Sequence, residues 1–327
     1  MELERELCVN MLSKMYKIRF FEETVDELFA RGLVHGTMHL SIGQEASAVG
    51  SVSALRDEDY ILSTHRGHGH CIAKGTDIKQ MMAELFGKET GTNKGKGGSM
   101  HICDPSIGNL GANGIVAAGI PIATGAALSS KFRKSGQVAV CFFGDGATNQ
   151  GAFHESLNIA SIWRLPVVYV CENNQYGMGT PILQSTSVDD LSVRAKSYGI
   201  PGIKVDGMDV QSVYEAVNGA VENARKGYGP TLIVCNTYRF YGHMGFLPIA
   251  SFTRGRTKEE INEWKKQDPI ETFKTRLIVN GVISERRADE LFKSVKEEIE
   301  EAVQFAKESP DPAPEEALKD VYYEQGV

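Results

Sequence analysis

Two spacings of apolar residues occur along the chain, and each predicts one kind of element. Over residues 3–31 apolar side chains recur close to helical spacing, from Leu12 to Phe29, and Gly32 follows as a stop signal. Residues 137–143 form a β-branched and aromatic run of strand length. The pattern therefore predicts a long N-terminal helix and, further along, a buried strand.

A second buried strand follows the first after one helix. Residues 166–172 repeat the strand pattern, and residues 151–164 between the two runs have helical length and apolar spacing. A helix at 210–224 and a strand at 231–235 continue the alternation. Regular alternation of strands and helices predicts an α/β fold with a doubly wound, mostly parallel sheet and flanking helices.

The segment before this alternation differs in composition. Residues 36–125 are rich in Gly and His, and their helical pieces, such as residues 46–55 and 78–85, are separated by loops. Such a composition is typical of the wall and rim of a site.

The segment after it is helical. Thr257 and Glu260 form a capping box, and residues 284–308 predict a highly charged helix. No internal repeat or linker divides the chain. We therefore expect a single domain over residues 1–327, with a C-terminal helical extension from about residue 257.

Composition excludes several classes of protein. The chain has 327 residues, 42% hydrophobic and 24% charged, which is enough for a full core. A formal net charge of −7 argues against nucleic acid as a partner, because phosphate binding needs a basic face. The six cysteines have no Cys-x-x-Cys spacing, which indicates reduced, buried thiols. No apolar stretch reaches the ~18 residues of a membrane span, and no signal or transit segment begins the chain, so we expect a cytoplasmic protein without a membrane partner.

Polar residues follow both buried strands at the point where each strand ends. Gly144, Asp145 and Gly146 come directly after the first run, and Asn173 and Asn174 after the second. If the strands are parallel neighbours, the crossover brings Asp145 and Asn174 to the sheet edge where ligands collect in such folds. Carboxylate and amide oxygens suit Mg²⁺, which usually completes its shell with phosphate oxygens and water. The sequence therefore predicts a metal-diphosphate site.

Two other interpretations of these turns stay open. Gly144 and Gly146 after a strand, with Glu172 at the end of the next, are also typical of a dinucleotide fold in a nicotinamide dehydrogenase. Two details weaken it: Asn149 stands at the third glycine position, and Asp145 would repel the pyrophosphate by ~4 kcal/mol at ~4 Å and an effective dielectric of ~20. Asp and Asn also favour ordinary turns, but two such turns at matched strand ends favour a site.

Two glycine-rich loops could complete a site. Residues 94–99 combine backbone freedom with two lysines, which suits an anionic ligand or a close subunit contact, although a solvated turn is favoured by roughly two to one. Residues 108–119 would let backbone groups approach a planar ligand beside Ile115 and Val116, or else allow helices to pack tightly.

Residues 64–70 hold three imidazoles and one guanidinium. Zinc is the first ligand to consider, but suitable acidic or thiol ligands are lacking except one cysteine, the glycines favour a loop, and Arg66 would repel a dication. An arginine beside imidazoles suits a diphosphate better. His39, His101 and His243 lie outside strand interiors; each alone is more often structural, whereas a cluster would be functional.

Together these residues resemble a known family. The run from Gly144 to Asn174, strengthened by Gly-Met-Gly at residues 177–179, is similar to the signature of thiamine-diphosphate-dependent decarboxylases. The resemblance is specifically to the alpha subunit of the first component of 2-oxo acid and acetoin dehydrogenase complexes, and it spans most of the chain. It implies a thiamine-diphosphate-binding fold, with thiamine diphosphate and Mg²⁺ as cofactors and a small molecule as substrate.

The resemblance also implies roles for individual residues. Mg²⁺ would be held by Asp145, Asn174 and the carbonyl of Tyr176. The catalytic candidates are His39 at the mouth of the site, His65 and His243. Arg66 and His243 would bind the diphosphate. The backbone groups of Gly114 and Val116 would bind the aminopyrimidine. The full set of implied cofactor contacts is His65, Arg66, Gly114, Val116, Gly144, Asp145, Gly146, Asn174 and His243.

The implied partners follow from the length of the chain. In the family, alpha chains of about this length form an α₂β₂ heterotetramer, and the glutamate that activates the cofactor belongs to a beta subunit. The resemblance therefore implies a beta subunit, a lipoyl-bearing acyltransferase that accepts the product fragment, and no activity for this chain alone.

The resemblance favours one substrate. Residues 63–75 look more like acetoin dehydrogenase than pyruvate dehydrogenase, whose alpha chains usually carry Tyr at the position of His65. Acetoin cleavage is the first interpretation, oxidative decarboxylation of pyruvate or a branched 2-oxo acid is the alternative, and an inactive scaffold or regulatory paralogue is the alternative of another class. Residues 244–248 are apolar where the family commonly has polar residues, and Met244 replaces a serine that is regulatory in mitochondrial relatives.

Overall fold

The computed structural model describes residues 3–245 and 255–321. Within these residues a sheet of parallel strands has the order β1-β2-β3-β7-β6, and a short antiparallel hairpin pairs β4 with β5. The strands are β1 (Tyr60–Leu62), β2 (Ala139–Gly144), β3 (Val167–Asn173), β4 (Tyr176–Gly177), β5 (Thr180–Pro181), β6 (Gly202–Asp206) and β7 (Thr231–Asn236).

Helices surround this sheet and extend the chain at both ends. Short 3₁₀ turns at Pro105–Ile107, Asp145–Asn149, Leu191–Tyr198 and Pro314–Leu318 connect some of them. The α-helices are α1 (Arg5–Ala30), α2 (Glu45–Val52), α3 (His68–Lys74), α4 (Ile78–Leu85), α5 (Gly119–Arg133), α6 (Gly151–Ile162), α7 (Ile182–Ser185), α8 (Val210–Arg225), α9 (Lys258–Lys265), α10 (Pro269–Val279) and α11 (Glu285–Glu308).

The predicted fold class is confirmed. The two predicted strands are β2 and β3, which pair in parallel with α6 as their crossover, and the next predicted helix and strand are α8 and β7. The N-terminal helix ends before Gly32, whose positive φ of 70° lies in the left-handed region that glycine tolerates best. Periodicity was sufficient here because these elements are long and amphipathic, or short and wholly apolar.

The hydrophobic pattern missed four of the strands. β1 has only three residues, and the hairpin strands have two each, so none is long enough to show a period. β6 lies at the sheet edge and alternates between exposed and half-buried positions rather than being apolar. The loop expected over residues 64–70 is wrong as well, because α3 begins at His68.

Alternate residues of the central strands enter two separate apolar clusters. Val140 and Phe142 of β2 face the first, and Cys141 and Phe143 face the second. The first cluster is completed by α1, α2, α8 and the C-terminal helices, and the second by α5 and α6. A parallel sheet covered on both faces explains why its strands are continuous apolar runs.

The C-terminal helices pack into the first cluster through residues such as Phe273 and Val295. The predicted capping box is half formed. Thr257 Oγ1 accepts a 3.0 Å hydrogen bond from the Glu260 amide, as expected. The Glu260 carboxylate, however, accepts a 2.9 Å hydrogen bond from the Tyr176 hydroxyl, which ties α9 to the β4-β5 hairpin. The last residues of the predicted extension, 322–327, lie outside the described residues.

The cysteines agree with the prediction of reduced thiols. All six are free, and all but the half-buried Cys103 are buried. Burial raises the pKa of Cys71 to about 12, which makes this thiol unreactive at neutral pH. Among the described residues, no helix is both long and apolar enough to cross a membrane.

Candidate functional site

The ends of β2 and β3 form the floor of a cavity of about 410 Å³. Gly144 lies opposite Glu172 in the parallel register, so Asp145 and Asn174 emerge at the same edge of the sheet. Both are buried, with 2% and 6% of their surface exposed. Every candidate site residue lines this cavity, namely His39, His65, Arg66, Gly114, Val116, Gly144, Asp145, Gly146, Asn174, Tyr176 and His243. Their proposed roles stay predictions.

Asp145 begins the turn that leaves β2 and carries an unsatisfied oxygen. Its Oδ2 is buried without a hydrogen-bond partner in the described part of the chain. Burial raises the pKa of Asp145 to about 6, and the nearby Arg239 guanidinium and backbone amides oppose the rise. A buried, unpaired carboxylate is costly unless a cation or a donor meets it, so this oxygen fits a metal ligand.

Asn174 and Tyr176 present their oxygens to the same region. Asn174 Nδ2 donates a 2.9 Å hydrogen bond to Gln44 Oε1, which turns Asn174 Oδ1 the other way. Gln175 and Met178 on either side of Tyr176 have positive φ angles of 72° and 56°, so the chain bends sharply around its carbonyl. The three oxygens predicted to hold Mg²⁺ are thus a hard-oxygen donor set of the kind that ion prefers.

Arg239 is a site residue that the sequence analysis did not identify. It follows β7 at the same sheet edge, is 2% exposed, and donates to Asn174 Oδ1 at 3.2 Å and the Tyr176 carbonyl at 3.1 Å. A charged residue inside the aromatic run of residues 238–241 was the available signal, because a buried arginine requires partners. Gln44 was also missed, since its role depends on Asn174.

Arg66 spans the opposite wall of the cavity. Its guanidinium donates to the carbonyl of Leu40 at 2.8 Å, and to the carbonyl and Nδ1 of His243 at 2.8 and 2.9 Å. A donor at Nδ1 requires this nitrogen to accept, so the neutral ring of His243 carries its proton on Nε2. Arg66 therefore fixes both the position and the tautomer of His243.

Three imidazoles from distant segments meet beside Arg66. The ring centroids of His39 and His65 are 4.6 Å apart, and those of His39 and His243 are 4.8 Å apart. Burial, followed by the charge of Arg66, lowers the pKa of His39 to about 4, of His65 to about 2 and of His243 to about 3. All three rings are neutral at pH 7. The cluster that would indicate function is formed by these histidines, whereas His101 is exposed and contacts the Gly97 carbonyl.

The three rings lie close enough together to be considered as a transition-metal site, but their protonation and surroundings do not suit one. Their nearest ligand atoms lie within 4.8 Å of one another. The donor from Arg66 leaves the remaining His243 nitrogen protonated, and the charges of Arg66 and Arg239 repel a dication. The geometry therefore favours a polar organic or anionic ligand over zinc.

The other two histidines of residues 64–70 do not face the ligand region. His68 joins Glu22, at 3.0 Å, to Ser99, also at 3.0 Å. His70 contacts Ser63 at 2.7 Å and Glu172 at 3.3 Å. Both residues lie in the first turn of α3, and their side chains are almost fully buried. The spacing of histidines in α3 thus serves two buried hydrogen-bond chains rather than a metal.

The lysine-containing glycine loop binds an anion that belongs to the chain itself. The carboxylate of Glu84 accepts backbone N–H bonds of 2.7 to 3.1 Å from Asn93, Gly95, Gly97 and Gly98. The two lysines of the loop pair with the acidic residues Glu316 and Asp320 near the C-terminus. The backbone donors of the loop are therefore occupied by Glu84, while its two lysines remain exposed at the surface.

The rim of the cavity is apolar and exposed. Ile115 and Val116 line it and remain 72% and 53% exposed. The first turn of the adjacent helix α5 exposes Ile122, at 48%. Large exposed apolar side chains next to a cavity are typical of a surface that another protein covers.

Comparisons with known proteins agree on one family. A model of the family described as dehydrogenase E1 component matches residues 13–315. The chain is 49% identical to the alpha subunit of acetoin:2,6-dichlorophenolindophenol oxidoreductase from Bacillus subtilis (strain 168), with 100% of this chain and 97% of the relative covered. It is 46% identical to the subunit of the same name from Cupriavidus necator, covering 98% and 95%. It is 42% identical to the pyruvate dehydrogenase E1 component subunit alpha of Porphyra purpurea, covering 90% and 86%.

Proposed function

This chain belongs to the dehydrogenase E1 component family, and we propose that it is the alpha subunit of a thiamine-diphosphate-dependent enzyme that cleaves acetoin. The observation that carries the proposal is the convergence of Asp145, Asn174 and the Tyr176 carbonyl at one end of a cavity, with Arg66 and three neutral imidazoles along its wall.

The chain's own groups divide the binding of the cofactor. Asp145, Asn174 and Tyr176 would hold Mg²⁺ on the diphosphate, and Arg66 and His243 would donate hydrogen bonds to its oxygens. The backbone of Gly114 and Val116, on the apolar rim, would face the aminopyrimidine ring. When bound, thiamine diphosphate supplies the carbanion that attacks a carbonyl and the electron sink for C–C cleavage.

The histidine cluster supports a neutral substrate. His39 and His65 are uncharged at pH 7, so they exchange hydrogen bonds with a hydroxyl or ketone oxygen and orient it. Acetoin offers one hydroxyl and one ketone and no charge. A 2-oxo acid brings a carboxylate, for which the neutral rings of His39 and His65 supply no positive charge.

The exposed apolar rim supports a subunit partner. Each of the three relatives above is named as an alpha subunit. We infer a beta subunit that covers Ile115 and Val116 and contributes the activating glutamate, in an α₂β₂ assembly. A lipoyl-bearing acyltransferase accepts the product fragment, and the whole assembly is cytoplasmic. Residues 246–248 of the apolar loop lie outside the described residues.

The nicotinamide alternative conflicts with the contacts of two acids. Glu172, the candidate ribose ligand, is occupied by Ser47 at 2.5 Å and His70 at 3.3 Å. Asp145 places a buried carboxylate where a pyrophosphate would lie. An inactive paralogue would have no need to keep a buried, unsatisfied carboxylate, because such a group costs stability. Oxidative decarboxylation of pyruvate remains the second candidate, favoured by the 42% identity to the Porphyra subunit.

The test is reduction of 2,6-dichlorophenolindophenol by the chain co-expressed with its beta subunit, in the presence of Mg²⁺ and thiamine diphosphate. Acetoin, pyruvate and branched 2-oxo acids are compared at equal enzyme concentration. A higher kcat/KM for acetoin supports the proposal, and a preference for a 2-oxo acid moves the chain to the second candidate. Absence of cofactor-dependent turnover with all of them contradicts the enzymatic function.

A further inference from the structure

Arg239 occupies the position between the oxygens that would hold a metal. Besides Asn174 Oδ1 and the Tyr176 carbonyl, it donates to the Met178 carbonyl at 3.3 Å. Two of its three acceptors thus belong to the predicted metal ligands. The guanidinium and a bound cation would share the same oxygens, each of which has two lone pairs.

Within the described part of the chain, no carboxylate accepts a hydrogen bond from Arg239. Asp145 is the acid whose field acts on it, yet Asp145 Oδ2 and Arg239 Nη1 are both buried without partners among residues 3–245 and 255–321. Burial and the neighbouring Arg256 lower the pKa of Arg239 to about 10, so it remains charged at neutral pH. One free acceptor and one free donor of opposite charge therefore face the same end of the cavity.

Arg239 is held firmly in this position. Arg256 donates to the carbonyl of Arg239 and, at 2.8 Å, to that of Tyr241. The guanidinium of Arg256 lies 4.6 Å from the ring centroid of Tyr238, which stacks on Trp264 at 5.1 Å. These contacts fix the backbone on both sides of Arg239, so the side chain cannot leave the site by a shift of its own segment.

Whether Arg239 attracts or repels a ligand depends on the net charge of that ligand. A bare dication on Asp145, Asn174 and Tyr176 would lie beside a buried positive charge and be repelled. A complex of Mg²⁺ with a diphosphate carries net negative charge, and the same guanidinium attracts it. The free Nη1 donor then has a phosphate oxygen to bind, and the free Oδ2 acceptor has a cation.

We propose that Arg239 is a positioning residue that makes the site accept the metal-diphosphate complex and reject the bare cation, so that metal and diphosphate bind as a coupled pair. The inference rests on the proposed function. The coupling between the metal and the diphosphate is measurable by binding alone, without turnover.

The test measures binding of Mn²⁺ to the co-expressed αβ complex by electron paramagnetic resonance, with and without thiamine diphosphate. In the wild type, saturating thiamine diphosphate is expected to raise the Mn²⁺ affinity at least 100-fold. In Arg239→Met, bare Mn²⁺ should bind at least tenfold more tightly and the enhancement should fall below tenfold. Arg239→Lys keeps the charge and should retain an enhancement above tenfold.

Each result has one meaning. An Arg239→Met complex with wild-type coupling overturns the inference, and so does an Arg239→Lys complex that behaves like Arg239→Met. If Arg239→Met does not assemble, the comparison of Arg239→Lys with the wild type decides, because loss of coupling with the charge retained contradicts the electrostatic argument. Two outcomes would overturn the proposed function and not merely the role of Arg239. One is a wild-type complex that binds neither Mn²⁺ nor thiamine diphosphate, and the other is an Asp145→Asn complex that binds both as tightly as the wild type.

Discussion

Gln44 accepts a 2.9 Å hydrogen bond from the side-chain amide nitrogen of Asn174, and this contact decides which end of the Asn174 amide faces the cavity. Gln44 immediately precedes α2, and the two residues lie on segments 130 positions apart. Partners behind a metal ligand typically change metal affinity 10-fold to 100-fold when removed. Gln44 is therefore part of the candidate metal site without lining it.

The first prediction concerns this contact. Gln44→Met removes the acceptor, so the Asn174 amide is free to turn its nitrogen toward the cation, and Mg²⁺-supported binding of thiamine diphosphate should weaken ~10–100-fold. Gln44→Glu keeps an acceptor oxygen and should stay within ~10-fold of the wild type. Isothermal titration of the co-expressed complex measures both, and equal affinities for the two variants would contradict the orienting role.

The second prediction concerns Asp145. Asp145→Ala should abolish Mg²⁺-dependent binding of thiamine diphosphate, because it removes the charged ligand from the set. Asp145→Asn should do the same while leaving thermal stability equal or higher, since burial raises the pKa of this group to about 6 and its ionisation is unfavourable in the cofactor-free fold. Cofactor titration and calorimetry are the measurements. Unchanged affinity in Asp145→Ala would exclude the metal assignment.

The third prediction concerns pH. The pKa of His65 is lowered to about 2 in the fold, first by burial and then by Arg66, so the unfolded chain binds a proton below pH 6.5 that the folded chain does not. Stability from this group is complete above pH 6.5 and declines as pH falls. The difference in unfolding free energy between wild type and His65→Gln should therefore shrink by on the order of 1 kcal/mol from pH 7.5 to 5.5.

Urea unfolding of the purified chain at the two pH values measures this difference. Comparing variants is necessary because Asp145, whose pKa is raised, contributes with the opposite sign in the same window. A difference between wild type and His65→Gln that is constant with pH would show that His65 is not held neutral by the fold.

The fourth prediction concerns substrate choice. His65→Tyr introduces the residue usual in pyruvate dehydrogenase alpha chains and removes a neutral imidazole from the cluster with His39 and His243. We expect kcat/KM for acetoin to fall at least ~10-fold while kcat/KM for pyruvate falls less. The reason is that the lost imidazole can both form hydrogen bonds with the substrate and transfer a proton. His65→Gln is the control that keeps a neutral polar side chain. An unchanged ratio between the two substrates would separate His65 from specificity.

The fifth prediction concerns the glycine loop. Glu84→Ala leaves four backbone amides of residues 93–98 without their acceptor, and the loop should loosen. Hydrogen exchange of residues 91–99 should accelerate, with a stability loss of ~2–4 kcal/mol. Glu84→Gln retains one acceptor oxygen and should show a smaller change. Protection equal to the wild type in Glu84→Ala would mean that other contacts hold the loop.

Local chemistry was enough to predict part of the site. The ends of β2 and β3 could be predicted because strand period, helix length and turn residues are properties of short segments. Consecutive parallel strands joined by one helix are also usually neighbours in the sheet. Asp145 and Asn174 at one edge follow from those facts alone. Roles for His39 and His243 came from resemblance and not from pattern, because no local spacing relates them.

The sequence by itself determined the α/β architecture and the pair of polar turns at the edge of the sheet, since both depend on periodicity and on residues close together in the chain. Only the tertiary structure decided that His68 and His70 turn away while His65 meets His39 and His243, and that Glu84 supplies the anion of the glycine loop. It also decided that Gln44 and Arg239 contact Asn174, one of the predicted metal ligands. Each of those outcomes depends on which distant segments pack together. A buried polar group takes whichever partner the packing brings within about 3 Å, and that choice is not encoded in the spacing of either residue.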